Sequence, residues 1–91
     1  VTPLQVRIHA VVADLEHGEV VSYGEVARRA GRAGAARAVG GFLAEHGAVL
    51  PWWRVVRADG SLAVHKPREQ QRLLRAEGVE VRNGRVLDAL P

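Results

Sequence analysis

The side chains best placed to do chemistry in this 91-residue sequence are a pair of tryptophans, one tyrosine and a set of arginines. The tryptophans stand in Pro51-Trp52-Trp53-Arg54-Val55 and make up half of the four aromatic residues. In an extended segment, neighbouring side chains point to opposite sides, so both indoles cannot enter one core. Trp52 is expected to face a pocket, with Trp53 packed behind it; burial of both in the core is the alternative. An indole nitrogen is not a nucleophile, so such a pocket would hold its ligand by shape and stacking, with no bond formed. No other residue supplies the missing reactivity. The sequence contains no cysteine, which rules out thiolate catalysis, disulfides and cysteine-ligated zinc within it. The four histidines (His9, His17, His46 and His65) lack metal-ligand spacing. No carboxylate pair, Ser-His-Asp set or phosphate-binding glycine loop stands out, so neither a metal nor a cofactor is expected.

Among the arginines, Arg37 is set apart by small neighbours, Ala35, Ala36, Ala38 and Gly40. They would let another surface, such as DNA, approach closely. A solvated surface arginine is the ordinary reading of a lone residue of this type. The net charge is +3, from 13 basic and 10 acidic residues, and all the basic residues but Lys66 are arginine. That balance permits nucleic-acid binding without requiring it. A GC-rich coding bias accounts for the arginine number, so position carries more information than count.

These residues need elements to position them. Length and a composition of 47% hydrophobic and 25% charged residues fit one small globular domain over residues 1–91. No apolar run approaches the ~20 residues of a membrane span. The N-terminus lacks the series of a secretory leader, so a cytoplasmic location is expected. A first helix is predicted from Pro3 to Glu16. It opens with a Thr2-x-x-Gln5 capping box, and Ile8, Val11, Val12 and Leu15 form its apolar stripe. A second helix is predicted from Ser22 to Gly31, with a Ser22–Glu25 capping box and Val26, Ala27 and Ala30 inward. A third is predicted from Ala35 to Glu45, with Val39, Phe42 and Leu43 inward. Two short helices around Gly31-Arg32-Ala33-Gly34 read as a helix-turn-helix. Further on, Val55-Val56 and Leu62–Val64 could pair around the turn Arg57–Ser61. A helix should run from Pro67 to about Ala76, with Leu73 and Leu74 inward, and stop at Gly78. Asn83-Gly84 between Val81 and Val86 is a strong hairpin signal. The expected fold is mainly α, a small helix-turn-helix domain, winged-helix-like, with minor β-hairpins.

Three stretches together carry a family resemblance: Val21-Ser22-Tyr23-Gly24-Glu25-Val26-Ala27, Ala35-Ala36-Arg37-Ala38-Val39-Gly40-Gly41, and Pro51-Trp52-Trp53-Arg54-Val55-Val56 with Asp59-Gly60-Ser61-Leu62. Leu73-Leu74 and Glu77-Gly78 complete the pattern. The sequence resembles the DNA-binding domain of O6-alkylguanine-DNA alkyltransferases from about Pro3 to Val81. In that family the active-site motif reads Pro-Cys-His-Arg-Val, so Trp52 stands in the place of the alkyl-accepting cysteine. This is similar to the alkyltransferase-like proteins, which bind alkylated guanine and cannot dealkylate it. Trp53 further replaces the histidine, which implies that the general base is lost and that the hydrogen-bond network reaching Glu77 has lost its centre.

The resemblance implies a mechanism. The helix-turn-helix would enter the minor groove, with Tyr23, Ala35, Arg37 and Gly40 on the DNA. Arg37 would be a finger filling the space of an extruded nucleotide, and Tyr23 would contact the phosphate 3′ to it; packing at the helix start is the alternative for Tyr23. The lesion pocket would comprise Trp52, Trp53, Val55 and Ser61, with Arg54 holding the turn. His65 falls near a pocket position, although a surface histidine is the plainer reading. A shorter connection from Phe42 to Leu50 would widen the pocket. The implied partners are double-stranded DNA with O6-alkylguanine lesions and nucleotide excision repair proteins. Action as a monomer is expected, in the cytoplasm and at the bacterial nucleoid. A sequence-reading helix-turn-helix regulator is the main alternative, and a protein-interaction module built on the tryptophan pair is another.

Overall fold

The computed structural model describes residues 1–87. Its helices are α1 (Pro3–Ala13), α2 (Tyr23–Arg29), α3 (Ala36–His46) and α4 (Pro67–Ala76). The strands are β1 (Val21–Ser22), β2 (Val55–Val56), β3 (Val81–Arg82) and β4 (Arg85–Val86). Short 3₁₀ turns at Gly47–Val49 and Trp52–Arg54 lead from α3 into β2. The architecture is mainly α, with a helix-turn-helix and small β elements. No described helix is long and apolar enough to cross a membrane.

Local signals explain the helix ends. Thr2 Oγ1 accepts from the Gln5 N–H and Gln5 Oε1 accepts from the Thr2 N–H, both at 3.1 Å, so the capping box of α1 is complete. The predicted helix overruns the observed one at its C-terminus. The Asp14 N–H still bonds the Ala10 carbonyl, and Leu15 then enters the core from a turn, so the apolar period outlasts the helix. At α2, Ser22 Oγ accepts from the Glu25 N–H at 3.0 Å. The other half of the expected box is absent, because Glu25 spends its carboxylate on Arg28 and Arg29.

The turn of the helix-turn-helix follows from a Schellman ending of α2. The Gly31 N–H bonds the Arg28 carbonyl and the Arg32 N–H bonds the Ala27 carbonyl, with Gly31 at φ +86°. The core of α1, α2 and α3 gathers Ile8, Val12, Val21, Val26, Ala27, Val39, Phe42, Leu43, Leu50, Trp52 and Val55. A smaller apolar cluster joins Val56, Leu62, Leu74, Val79, Val81 and Val86. Trp53 packs against both.

The predicted pairing of Val55-Val56 with Leu62–Val64 does not form. β2 instead pairs in parallel with β1, Val21 opposite Val55 and Ser22 opposite Val56. Ser61 bridges Arg85, and the Leu62 N–H bonds the Gly84 carbonyl. Gly60 permits that approach: it sits at φ +86°, and a Cβ there would lie 2.8 Å from the Val86 carbonyl oxygen. The β3–β4 hairpin turns at Asn83 (φ 55°) and Gly84 (φ 72°), the left-handed pair that a type I′ turn requires.

Candidate nucleic-acid interface

The helix-turn-helix presents one unusually smooth face. Val39, Phe42 and Leu43 of α3 turn inward, leaving Arg37, Gly40, Gly41 and Ala44 at i, i+3, i+4 and i+7 on the opposite side. A Cβ at Gly40 or Gly41 would meet no atom within 4 Å, so nothing inside the chain demands glycine there. Glycine inside a helix costs about 1 kcal/mol relative to alanine. Close helix packing within the fold therefore does not account for these glycines. Arg37 is exposed at the N-terminal end of the face and, among the described residues, has no ionic partner. Ala44, about 10 Å further along the helix axis, lines the cleft in which Trp52 stands.

The cleft is bounded by Leu43, Ala44, Gly47, Trp52, His65 and Lys66, with Glu45 at its edge. The His65 ring lies 6.0 Å from Trp52 at 39°, and Lys66 Nζ lies 5.6 Å from the Trp52 ring centre. Its volume is ≈ 50 Å³, room for no more than a few waters at about 10–15 Å³ each. The connection from Phe42 to Leu50 is helix to His46 and a 3₁₀ turn from Gly47 to Val49. A wider open hollow (≈ 990 Å³) lies by Asp14, Glu16, His17, Glu19 and Arg29, but no tryptophan, tyrosine or phenylalanine lines it.

The four residues expected in the pocket are not brought together. Only Trp52, itself 8% exposed, borders the cleft. Val55 is wholly buried in the main core. Ser61 is held in the turn by Asp59, whose Oδ1 accepts from the Ser61 N–H at 2.9 Å and from Ser61 Oγ at 2.6 Å. Trp53 points away from the cleft into a different network. The segment is a 3₁₀ turn and not extended, so the two indoles diverge by winding, with ring planes at 87°.

That network corrects the expectation that the Glu77 hydrogen bonds had lost their centre. Trp53 Nε1–H donates to Glu77 Oε2 at 2.8 Å. Arg54 donates to the same carboxylate through Nε (3.0 Å to Oε1) and Nη2 (2.7 Å to Oε2), and the Gly18 N–H donates to Oε1 at 2.8 Å. Arg54 Nη1 also donates to the Leu15 carbonyl at 2.8 Å. The arrangement ties the end of α1, the tryptophan turn and the end of α4 together. Burial pushes the Glu77 carboxyl up, but the Arg54, Gly18 and Trp53 donors outweigh it and bring the pKa down to about 2. Indole N–H is a donor only, so the network is structurally complete yet offers no proton acceptor in the place of the histidine.

Sequence reasoning gave Gln70 no role, yet it is fully buried and holds the turn. Its Oε1 accepts from the Ala63 N–H at 2.6 Å. Its Nε2 donates to the carbonyls of Trp53 (3.1 Å) and Val55 (2.9 Å). The available signal was its place on the Leu74 face of α4, four residues before that core leucine.

Tyr23 opens α2, half-buried against the main core. Burial raises its pKa, against a smaller lowering by Arg57, so the phenol keeps its proton and can donate. Of the α2 arginines, Arg28 and Arg29 are already paired with Glu25 at 2.6 and 2.8 Å. They are less available to phosphates than their position on the helix-turn-helix suggests. Exposed arginines without an ionic or hydrogen-bonded partner among the described residues are Arg32, Arg37, Arg57, Arg68 and Arg72.

Comparison with known proteins agrees with the helix-turn-helix fold. Residues 3–79 match the family described as 6-O-methylguanine DNA methyltransferase, DNA binding domain. A "DNA base-flipping protein" of Escherichia coli K12 is 41% identical over 86 residues, covering 90% of this chain and 67% of that protein. A protein of the same description from Vibrio parahaemolyticus is 42% identical over 81 residues, covering 84% and 80%. Among solved structures, S. pombe Atl1 in complex with damaged DNA containing O6-carboxymethylguanine superposes with a TM-score of 0.82 at 27% identity, over 97% of this chain and 88% of that one.

Proposed function

Because the chain belongs to the 6-O-methylguanine DNA methyltransferase DNA-binding family, as one of its alkyltransferase-like members, we propose that it binds duplex DNA containing O6-alkylguanine and rotates the damaged nucleotide out of the helix without removing the alkyl group. The observation that carries this reading is the α3 face that begins at Arg37, stays smooth through Gly40 and Gly41, and ends at the Trp52 cleft.

Each part has a physical task. The bare glycine face lets the α3 backbone come close to a groove, with Ala35 and Gly40 nearest the DNA. The unpaired arginines neutralise phosphates, which gives affinity without sequence information. Tyr23 donates its retained proton to a backbone phosphate. Arg37 enters the stack and fills the gap that the departing base leaves. The base meets the Trp52 indole, and stacking repays part of the few kcal/mol of unstacking. At its present volume the cleft cannot hold a purine, so the exposed His65-Lys66 segment must swing off the indole as the base arrives. Trp53 and Val55 act behind the cleft by holding the tryptophan turn, and Ser61 acts by closing the neighbouring Arg57–Ser61 turn with Asp59.

No bond is made in this scheme. The cysteine position is occupied by Trp52, and the histidine position by Trp53, whose N–H is committed to Glu77. The lesion therefore persists, and another activity must remove it. One copy of the chain on the bent, occupied duplex would mark the lesion for nucleotide excision repair.

Flipping is tested with 2-aminopurine placed beside O6-methylguanine in a duplex, where its fluorescence rises when its neighbour leaves the stack. Binding of the protein is expected to raise the signal for the lesion duplex well above that for a plain guanine duplex. The rise should fall several-fold with Arg37→Ala at saturating protein. Equal signals from the two duplexes would point instead to a general DNA binder or a sequence-reading regulator.

A further inference from the structure

We propose that Lys66 selects among lesions, favouring O6 adducts that carry a negative charge; this rests on the reading of the Trp52 cleft as the lesion pocket. Lys66 is the one lysine of the chain. Its ammonium stands 5.6 Å from the centre of the Trp52 ring, in the cleft lining and beside the tilted His65 ring. It is exposed and, among the described residues, has no carboxylate partner. The other charged side chain at the edge, Glu45, is largely exposed and directed to His46 at 3.4 Å.

A base entering against the indole must take the place of the Lys66 cation on the ring. A neutral alkyl adduct removes that cation–π contact and returns nothing to the ammonium. An adduct ending in a carboxylate gives the displaced ammonium an ion pair at the mouth of the same cleft. Lysine suits this exchange: it is a compact charge on a flexible stem and can follow the ligand, where a planar guanidinium demands a fixed fork. The site is solvated, so the preference should be modest, about fivefold.

The test compares duplexes that differ only in the adduct: O6-carboxymethylguanine, its near-isosteric neutral counterpart O6-carbamoylmethylguanine, and plain guanine. Wild-type protein and Lys66→Gln are titrated at low salt. The quantity read is the ratio of carboxymethyl to carbamoylmethyl affinity, from which any contact of Lys66 with phosphates cancels. The expected ratio is about five for wild type and about one for Lys66→Gln. A wild-type ratio near one, or a ratio that survives in Lys66→Gln, would overturn the role of Lys66 while leaving lesion binding intact. Failure of both adducts to bind better than plain guanine would overturn the lesion pocket itself, and this proposal with it.

Discussion

Glu77→Gln is expected to destabilise the protein by about 3–5 kcal/mol, the usual consequence of removing one partner of a buried ion pair. The Glu77 side chain is 8% exposed and that of Arg54 13%, and the carboxylate receives Arg54, Trp53 and Gly18 donors at once. The variant keeps the shape but leaves the Arg54 charge buried without its counter-charge. A chain of this size has only about 5–15 kcal/mol of net stability, so the melting temperature should fall by more than about 12 °C. A shift of only a few degrees would show that the network is dispensable.

The same carboxylate predicts a pH dependence with a definite sign. Its folded pKa is about 2 against an ordinary 4.5, so its contribution is fully present above about pH 4.5 and is lost as pH falls through 2. A depression of that size corresponds to about 3 kcal/mol at neutral pH. The stability difference between wild type and Glu77→Gln should therefore shrink steadily from pH 5 toward pH 2. Glu25, also held near 2 by Arg28 and then Arg29, is common to both proteins and cancels from the difference. A difference that is constant over this range would contradict the assignment.

The second large effect is expected at Gln70. Gln70→Leu preserves volume but strips the Ala63 N–H of its acceptor and the Trp53 and Val55 carbonyls of their donor. Each buried group left unpaired costs about 1–3 kcal/mol, so a loss of about 3 kcal/mol or more follows. Thermal unfolding should show a drop of at least about 12 °C. Because the amide pins the tryptophan turn to the segment that carries His65 and Lys66, the folded variant should also lose discrimination between damaged and plain duplexes. A variant that melts within a few degrees of wild type would remove Gln70 from the description of the site.

Gln70 also marks the boundary of what could be read in advance. The α4 span, the Asn83-Gly84 hairpin and the Gly31 turn were legible because their signals are local: a proline, a glycine in a left-handed conformation, an apolar period. The parallel pairing of Val21-Ser22 with Val55-Val56 was not, because two-residue strands carry no alternation and their partners are distant in the chain. At the site, the frame around Arg37 and the turn of Trp52 toward a cleft were legible, while the hydrogen bond that takes Trp53 to Glu77 was not. An extended chain and a 3₁₀ turn both separate adjacent side chains, and only the turn sends Trp53 to Glu77. Val55 and Ser61 were misplaced for a related reason. Their sequence frame fits the family pocket, but the core and the Asp59 turn claim their side chains first.

The central claim, recognition of an alkylated guanine without chemistry, is tested most directly by titrating the protein with two duplexes identical except for one O6-methylguanine, at fixed salt and with Arg37→Ala in parallel. The recovered DNA is then checked for the methyl group. The expected result is an affinity at least about tenfold higher for the lesion, ~1.4 kcal/mol, most of it lost in Arg37→Ala, with the methyl group intact. Equal affinity for the two duplexes, or recovery of unmodified guanine, would contradict it.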